Sequence, residues 1–348
     1  MAGISRMLLG IGAGVAALIG SVAGAGAQDQ ELNIYSSRHY QSDEALYDGF
    51  TEQTGIGINR IEADADELLQ RIRSEGANSP ADVFIAVDAG RLWRATEAGI
   101  LRPVESKALE EKIPESLRHP DGLWYGFSTR ARLIFYDRDQ IDPEEVGLDS
   151  YEDLADPRFD DMICIRSGSN VYNQSLLASL IAHHGEDAAR EWARGVRENL
   201  ARNPQGGDTD QLKAAAAGEC AIAVANHYYY LRMATSDDAQ ERAMAEKLGV
   251  IFPNQGDRGV HVNISGAGVV RDAPHPEAAV RFLEYLASDD AQRSFAGGNN
   301  EYPVVEGVDA RNEVLDSLGS FETDPLNVSV YGENQALAQR IFDEVGWN

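Results

Sequence analysis

From Glu31 onward, apolar segments of strand length alternate with amphipathic segments of helix length, and this alternation constrains the fold more than any other feature of the chain. Strands are expected at Leu32–Tyr35, Ile56–Ile61 and Asp82–Val87, and helices at Asp43–Gln53, Glu67–Ser74 and Gly90–Ala98. Strands joined through helices run parallel, and a parallel sheet must be covered on both faces, so the expected class is α/β. Asp64, with Glu67 three residues on, gives the second helix a capping-box start. A second region opens with a strand at Leu133–Tyr136. It continues through a strand at Met162–Ile165, helices at Gln174–Ala182, Glu186–Asn199 and Asp210–Ala217, and a strand at Ala221–Ala225. Between the regions, Asp121 to Phe127 mixes aromatic residues with glycine and reads as a crossover rather than an element interior. Gly266-Ala267-Gly268 lacks the third glycine of a dinucleotide fingerprint and reads as a hinge or tight turn. Helices are expected at Pro276–Leu286, from Ser288 onward and at Gln335–Val345.

The length, 348 residues, suits two domains or one domain with two lobes. With 57 acidic against 30 basic side chains the net charge is −27, which argues against a nucleic-acid partner, since such partners are held by a basic stripe. Met1 to Ala27 has the form of a signal peptide, with Arg6 in the positive region, an apolar run over 7–22 and the small-x-small site Ala25-Gly26-Ala27. The mature chain is expected to begin at Gln28 in a periplasm; an uncleaved anchor is the other reading of that run. In an oxidising compartment the two cysteines, Cys164 and Cys220, each beside a short apolar run, form one disulfide if their strands are neighbours, and otherwise remain two buried thiols.

No G-x-S-x-G, phosphate-binding loop or H-E-x-x-H motif is present, so no nucleophile with its base is visible. His183-His184 lie near a helix end, where they suit terminal carbonyls. The unusual residues are tyrosines in polar settings. Tyr40 follows the first strand; Tyr172 sits in the polar loop Arg166 to Gln174; Tyr228, Tyr229 and Tyr230 follow the strand Ala221–Ala225. In an open α/β sheet the ends of strands are where ligands bind. A phenolate is a hard oxygen donor with a free pKa of about 10, so it suits a hard, highly charged cation strong enough to displace its proton, ferric iron above all. The same aromatics could instead form a cage for an organic cation such as a polyamine.

Several strings together resemble one family: Tyr-Ser-Ser-Arg-His-Tyr at 35–40, Ala-Asp-Val-Phe at 81–84, Val-Asp-Ala-Gly at 87–90, Ile-Arg-Ser-Gly-Ser-Asn-Val-Tyr-Asn at 165–173, Gly-Glu-Cys-Ala-Ile-Ala-Val-Ala-Asn-His-Tyr-Tyr at 218–229 and Glu-Tyr-Pro-Val at 301–304. The chain resembles the periplasmic iron(III)-binding proteins of ferric ABC importers, the tyrosine-rich type in particular. The resemblance implies a type II periplasmic binding protein fold, two α/β lobes with a ligand cleft between them. It places the first lobe at 28–127 plus about 264–310, the second at 128–263, and a C-terminal helical segment at about 311–348.

It also implies that the transported ferric ion is held by Tyr40 from the first lobe and by Tyr172, Tyr228 and Tyr229 from the second, with His39 as a conditional fifth ligand. Tyr230 carries no ligand role. Some members use a glutamate near Phe84–Asp88, where this chain has none. Arg38 and Arg130 are candidates to face the cleft, to lower a phenol pKa or to hold a carbonate-like anion; a structural ion pair is the alternative for each. An anion or water would complete the coordination. The implied partners are iron, an inner-membrane ABC permease and its ATPase, for a monomeric receptor with no enzymatic activity.

Overall fold

The computed structural model describes residues 31–38 and 40–348. The leader assigned to Met1–Ala27 and the conditional ligand His39 therefore lie outside the described residues. Among the described residues, no helix is long and apolar enough to cross a membrane.

Among the described residues, nine strands form the scaffold: β1 (Glu31–Ser36), β2 (Gly57–Glu62), β3 (Val83–Val87), β4 (Tyr125–Asp137), β5 (Ile163–Cys164), β6 (Ile222–Asn226), β7 (Leu248–Ile251), β8 (Val262–Val269) and β9 (Tyr302–Pro303). Their order is β2-β1-β3-β8-β4-β6-β5, with β7 and β9 also pairing with β4. The three N-terminal strands are parallel, as their helical crossovers require. All five residues of β3 are buried, as befits a strand covered on both faces.

The expectation of a wholly parallel sheet is corrected beyond β3. The pairs β3–β8, β8–β4 and β4–β6 are antiparallel, and only β5–β6 is parallel again. β8 enters from the other lobe and inserts between β3 and β4, a placement that no local sequence pattern encodes.

Two segments expected as irregular are strand interior. Tyr125 to Phe127 begin β4, and β4 is itself the crossing: residues 125–131 pair with β8, and residues 132–137 pair with β6 and β7. Gly266-Ala267-Gly268 lies within β8, opposite Gly126 at Gly266. A Cβ on Gly266 would stand 2.6 Å from Leu92 Cδ1 and 2.7 Å from the Tyr125 carbonyl oxygen, so glycine serves close packing there and not a turn.

The helices Pro276–Leu286 and Gln335–Val345 have the expected bounds. At the helix Ala65–Glu75, the Asp64 carboxylate accepts from the Asp66 amide, so the cap bonds one residue earlier than a capping box does. The apolar core follows the two lobes. One cluster joins Leu32, Phe84, Trp124, Phe282 and Val304; another joins Ile134, Ile163, Leu177, Trp192, Ile222 and Phe342. Cys164 and Cys220 are bonded to each other.

Candidate metal centre

Strand alternation sets the floor of the cleft. Ser128, Arg130 and Arg132 occupy every second position of β4 and so share one face, while Ala131, Leu133 and Phe135 join an apolar cluster on the other. Both arginines are buried, about 1% exposed.

Tyr172 is the second residue of the helix Val171–His184, which begins three residues earlier than its apolar pattern suggests. Asn170 caps it, its side chain accepting from the Tyr172 amide at 3.1 Å. Tyr228 is likewise the second residue of the helix His227–Ala234, which takes up all three tyrosines that follow β6. Both phenols thus stand in the first turn of a helix that directly follows the second lobe's strands.

The fold brings the four tyrosines together. The Tyr172 and Tyr228 phenolic oxygens are 3.4 Å apart. The Tyr228 and Tyr229 rings have centroids 4.4 Å apart. The Arg232 guanidinium lies 5.3, 5.1 and 5.7 Å from the ring centroids of Tyr40, Tyr228 and Tyr229, which draws Tyr40 of the first lobe against the pair from the second. Arg232 also donates to Asn299, so it spans the cleft. Tyr230 turns away, its ring 5.1 Å from that of Phe135.

The two arginines expected at the cleft take different parts. Arg38 donates to both carboxylate oxygens of Asp43 at 2.8 and 3.0 Å, to Glu301 at 2.7 Å and to Ser265 at 2.8 Å. Four of its five N–H groups are thereby committed, so Arg38 is a structural ion pair that also covers the Tyr40 ring at 4.6 Å, and it offers no paired donors to an anion. Arg130 differs. Its Nη2 donates to Ser265 at 3.0 Å, whereas Nε and Nη1 are buried without a partner. Unpaired buried donors are costly, so these two nitrogens of Arg130 are candidates to donate to an anionic group.

The electrostatics follow from burial. Burial pushes the Tyr172 phenol up to about 12 and the Tyr228 phenol well above its usual value, and it raises Tyr40 with help from the Glu301 charge. Arg130 lowers all three in part. Burial alone would lower the Arg130 guanidinium, but Glu301 and the neighbouring phenols hold it above its usual value. Glu301 is depressed despite burial, because Arg38, Arg130 and Ser128 favour its ionised form.

Several residues of this site carry no local sequence signal as site residues. Glu301 links Arg38, Ser128 and Asn299. Arg166 and Arg132 lie 5.3 and 5.9 Å from the Tyr172 ring, and the buried Asp208 balances both. Arg130 and Arg132, two positions apart in β4, are a pattern that alternation could have flagged. The nearest first-lobe carboxylate in sequence, Asp88, is occupied by the Gly90 amide, Ser175 and Asn263. Among the described residues, no group of three or more His, Cys, Asp or Glu is placed to hold a metal ion. The convergent phenolic oxygens are the donor set to consider.

Residues 78–320 match the model of a family described as bacterial extracellular solute-binding protein. The chain is 54% identical to iron uptake protein A2 of Synechocystis, over 93% of this chain and 92% of that one. It is 26% identical to the major ferric iron-binding protein of Neisseria meningitidis serogroup B, over 91% and 93%. Among solved structures, it is similar to a Trichodesmium protein (IdiA, FutA) in complex with iron and citrate, with 55% identity, a TM-score of 0.88, and coverage of 91% of this chain and 100% of that one.

Proposed function

This chain belongs to the bacterial extracellular solute-binding protein family, and from that premise we propose that it is a periplasmic receptor that captures ferric iron and delivers it to an inner-membrane ABC permease with its ATPase. The relatives named for iron uptake and ferric iron binding support the cargo. Its ligands are the phenolates of Tyr40, Tyr172, Tyr228 and Tyr229, and His39, water or a carbonate-like anion beside Arg130 completes the coordination. The receptor acts as a monomer after cleavage of its leader behind Ala27.

One observation carries this reading above the cage alternative. A metal site needs hydroxyl oxygens converging on a point, and Tyr172 and Tyr228 present theirs 3.4 Å apart. A cage needs open ring faces, and here the protein's own cation, Arg232, already lies over Tyr40, Tyr228 and Tyr229.

Charge balance fits the same assignment. Four phenolates exceed a ferric ion by one negative charge, and the guanidinium of Arg232 beside the rings offsets it. Ligands from both lobes make the closed form bind iron better than the open form, which is the differential affinity that closure requires. The lobe bounds taken from the resemblance, near residues 127–128 and 263–264, fall within β4 and β8, the two strands that pass between the lobes.

The test is a visible-spectrum titration of the mature apo protein with ferric citrate, repeated with Tyr229→Phe. The expected result is a charge-transfer band that saturates at one iron per chain and weakens or shifts in the variant. No band at any iron ratio would remove phenolate ligation, and binding of a polyamine in its place would establish the cage.

A further inference from the structure

The bond between Cys164 and Cys220 sits at a place that the phenol pair depends on. Each cysteine lies eight residues before a tyrosine: Cys164 before Tyr172 and Cys220 before Tyr228. The cysteines are 56 residues apart in sequence, and so are the two tyrosines whose oxygens meet. The crosslink and the phenol contact are therefore two rungs between the same two segments.

The ladder between these segments is short. β5 is two residues long and contributes only the pairs Ile163↔Ile222 and Cys164↔Ala223 to the ladder. Slippage by one residue would displace one strand, and the helix it leads into, by about 3.3 Å relative to the other. A binding constellation tolerates only about 0.5 Å. The crosslink lies directly at this short ladder, with Cα atoms 5.9 Å apart and both residues buried.

A second tie stands close to the phenols. Arg132 donates to Asn173 at 2.8 Å, the residue after Tyr172, and to Asn226 at 3.1 Å, two residues before Tyr228. Asp208 fixes Arg132 at 3.2 Å and accepts from the Asn226 amide at 2.8 Å. The two segments are thus held at the strand end by sulfur and at the helix end by a buried guanidinium.

We propose that the Cys164–Cys220 disulfide is a positioning element of the iron site, setting the spacing of the Tyr172 and Tyr228 oxygens through the short β5–β6 ladder. The inference rests on the ferric reading above. Its consequence is that the chain becomes a full-affinity receptor only once this bond has formed.

The experiment compares the mature wild-type protein with Cys164→Ala/Cys220→Ala, and with Cys164→Val/Cys220→Ala, which restores part of the lost volume. Leu92→Ala, a core truncation in the first lobe, controls for stability alone. Each protein is titrated with ferric citrate at a temperature where near-ultraviolet circular dichroism shows it folded. Iron partition against citrate and the position of the charge-transfer band are read. Affinity 10–100-fold weaker in the cysteine-free proteins, with a shifted band and both readouts unchanged in Leu92→Ala, is the expected result. Unchanged affinity and band without the cysteines would overturn the proposal, as would a parallel change in Leu92→Ala. Failure of both cysteine-free proteins to fold would overturn it too, because the bond would then serve folding and not the site. A wild-type protein without any band would overturn the ferric reading itself, a separate outcome.

Discussion

The phenolic oxygens of Tyr172 and Tyr228 lie 3.4 Å apart, although 56 residues separate them in the chain. Each helix delivers its tyrosine in the first turn, and the contact forms only because β5 and β6 are neighbours. Replacing Tyr228 by Phe keeps the buried ring and removes one of the two oxygens. Iron affinity should fall by more than the roughly 10–100-fold that outer partners of a metal carry, with little change in urea midpoint. Competition against citrate, paired with a denaturation curve, checks both halves.

The phenols also set a pH dependence for iron binding. Burial holds Tyr172 up to about 12 and Tyr228 well above its usual value, so both are protonated in the apo protein at neutral pH. Ligation must expel those protons, and affinity should fall up to about tenfold per pH unit for each proton released as pH is lowered. In the apo protein the sign is opposite. A raised folded pKa favours the protonated fold, so its contribution is complete below about 10 and is lost as pH rises above that value. Proton release on iron addition, measured in weak buffer, should be positive; none would contradict phenolate ligation.

Two buried histidines govern the acid side of apo stability. Burial lowers His227 to about 4 and His261 to about 3. At His227, Nδ1 accepts from the Ala131 amide and Nε2 donates to the Asn300 carbonyl, a fully used neutral ring. A depressed histidine contributes fully above its unfolded pKa of about 6.5, and the contribution is lost as pH falls toward the folded value. Stability should therefore decline between about pH 6.5 and 4 by up to about 1.4 kcal/mol per unit for each histidine. Urea midpoints across that range, in wild type and His227→Gln, check it; the variant should show the shallower slope.

Glu301 is the acceptor that neutralises the buried arginines, at 2.7 Å from Arg38 and 2.5 Å from Ser128. Breaking a buried pair on one side leaves a charge uncompensated, so Glu301→Gln should cost on the order of 3 kcal/mol. Equilibrium denaturation measures the loss. A cost within about 0.5 kcal/mol of zero, the range of ordinary surface substitutions, would show that Asp43 alone satisfies Arg38.

Arg232 makes a distinct prediction because it covers the ring faces. Arg232→Ala should weaken iron binding by roughly tenfold, since it removes a cation beside the phenolates and the tie to Asn299. Calorimetry with putrescine should show no heat for wild type; uptake by the variant alone would mean that the arginine has been occupying an organic-cation cage.

The sequence by itself determined the local elements, because period-2 and period-3.6 burial patterns, caps and strand-end positions are all written in neighbouring residues. The α/β class, the helix Pro276–Leu286 and the tyrosines at 40, 172, 228 and 229 as unusual residues could be read that way. Only the tertiary structure decided how β8 inserts antiparallel beside β3, why Gly266 is packed strand and not a turn, and that Arg38 serves Asp43 and Glu301 while Arg130 keeps two buried nitrogens unpaired. It also decided that Glu301, Arg166 and Arg232 stand among the phenols. Apart from the local bond of Arg38 to Asp43, these depend on contacts between segments tens to hundreds of residues apart, and a contact of that kind leaves no periodic trace in the residues on either side of it.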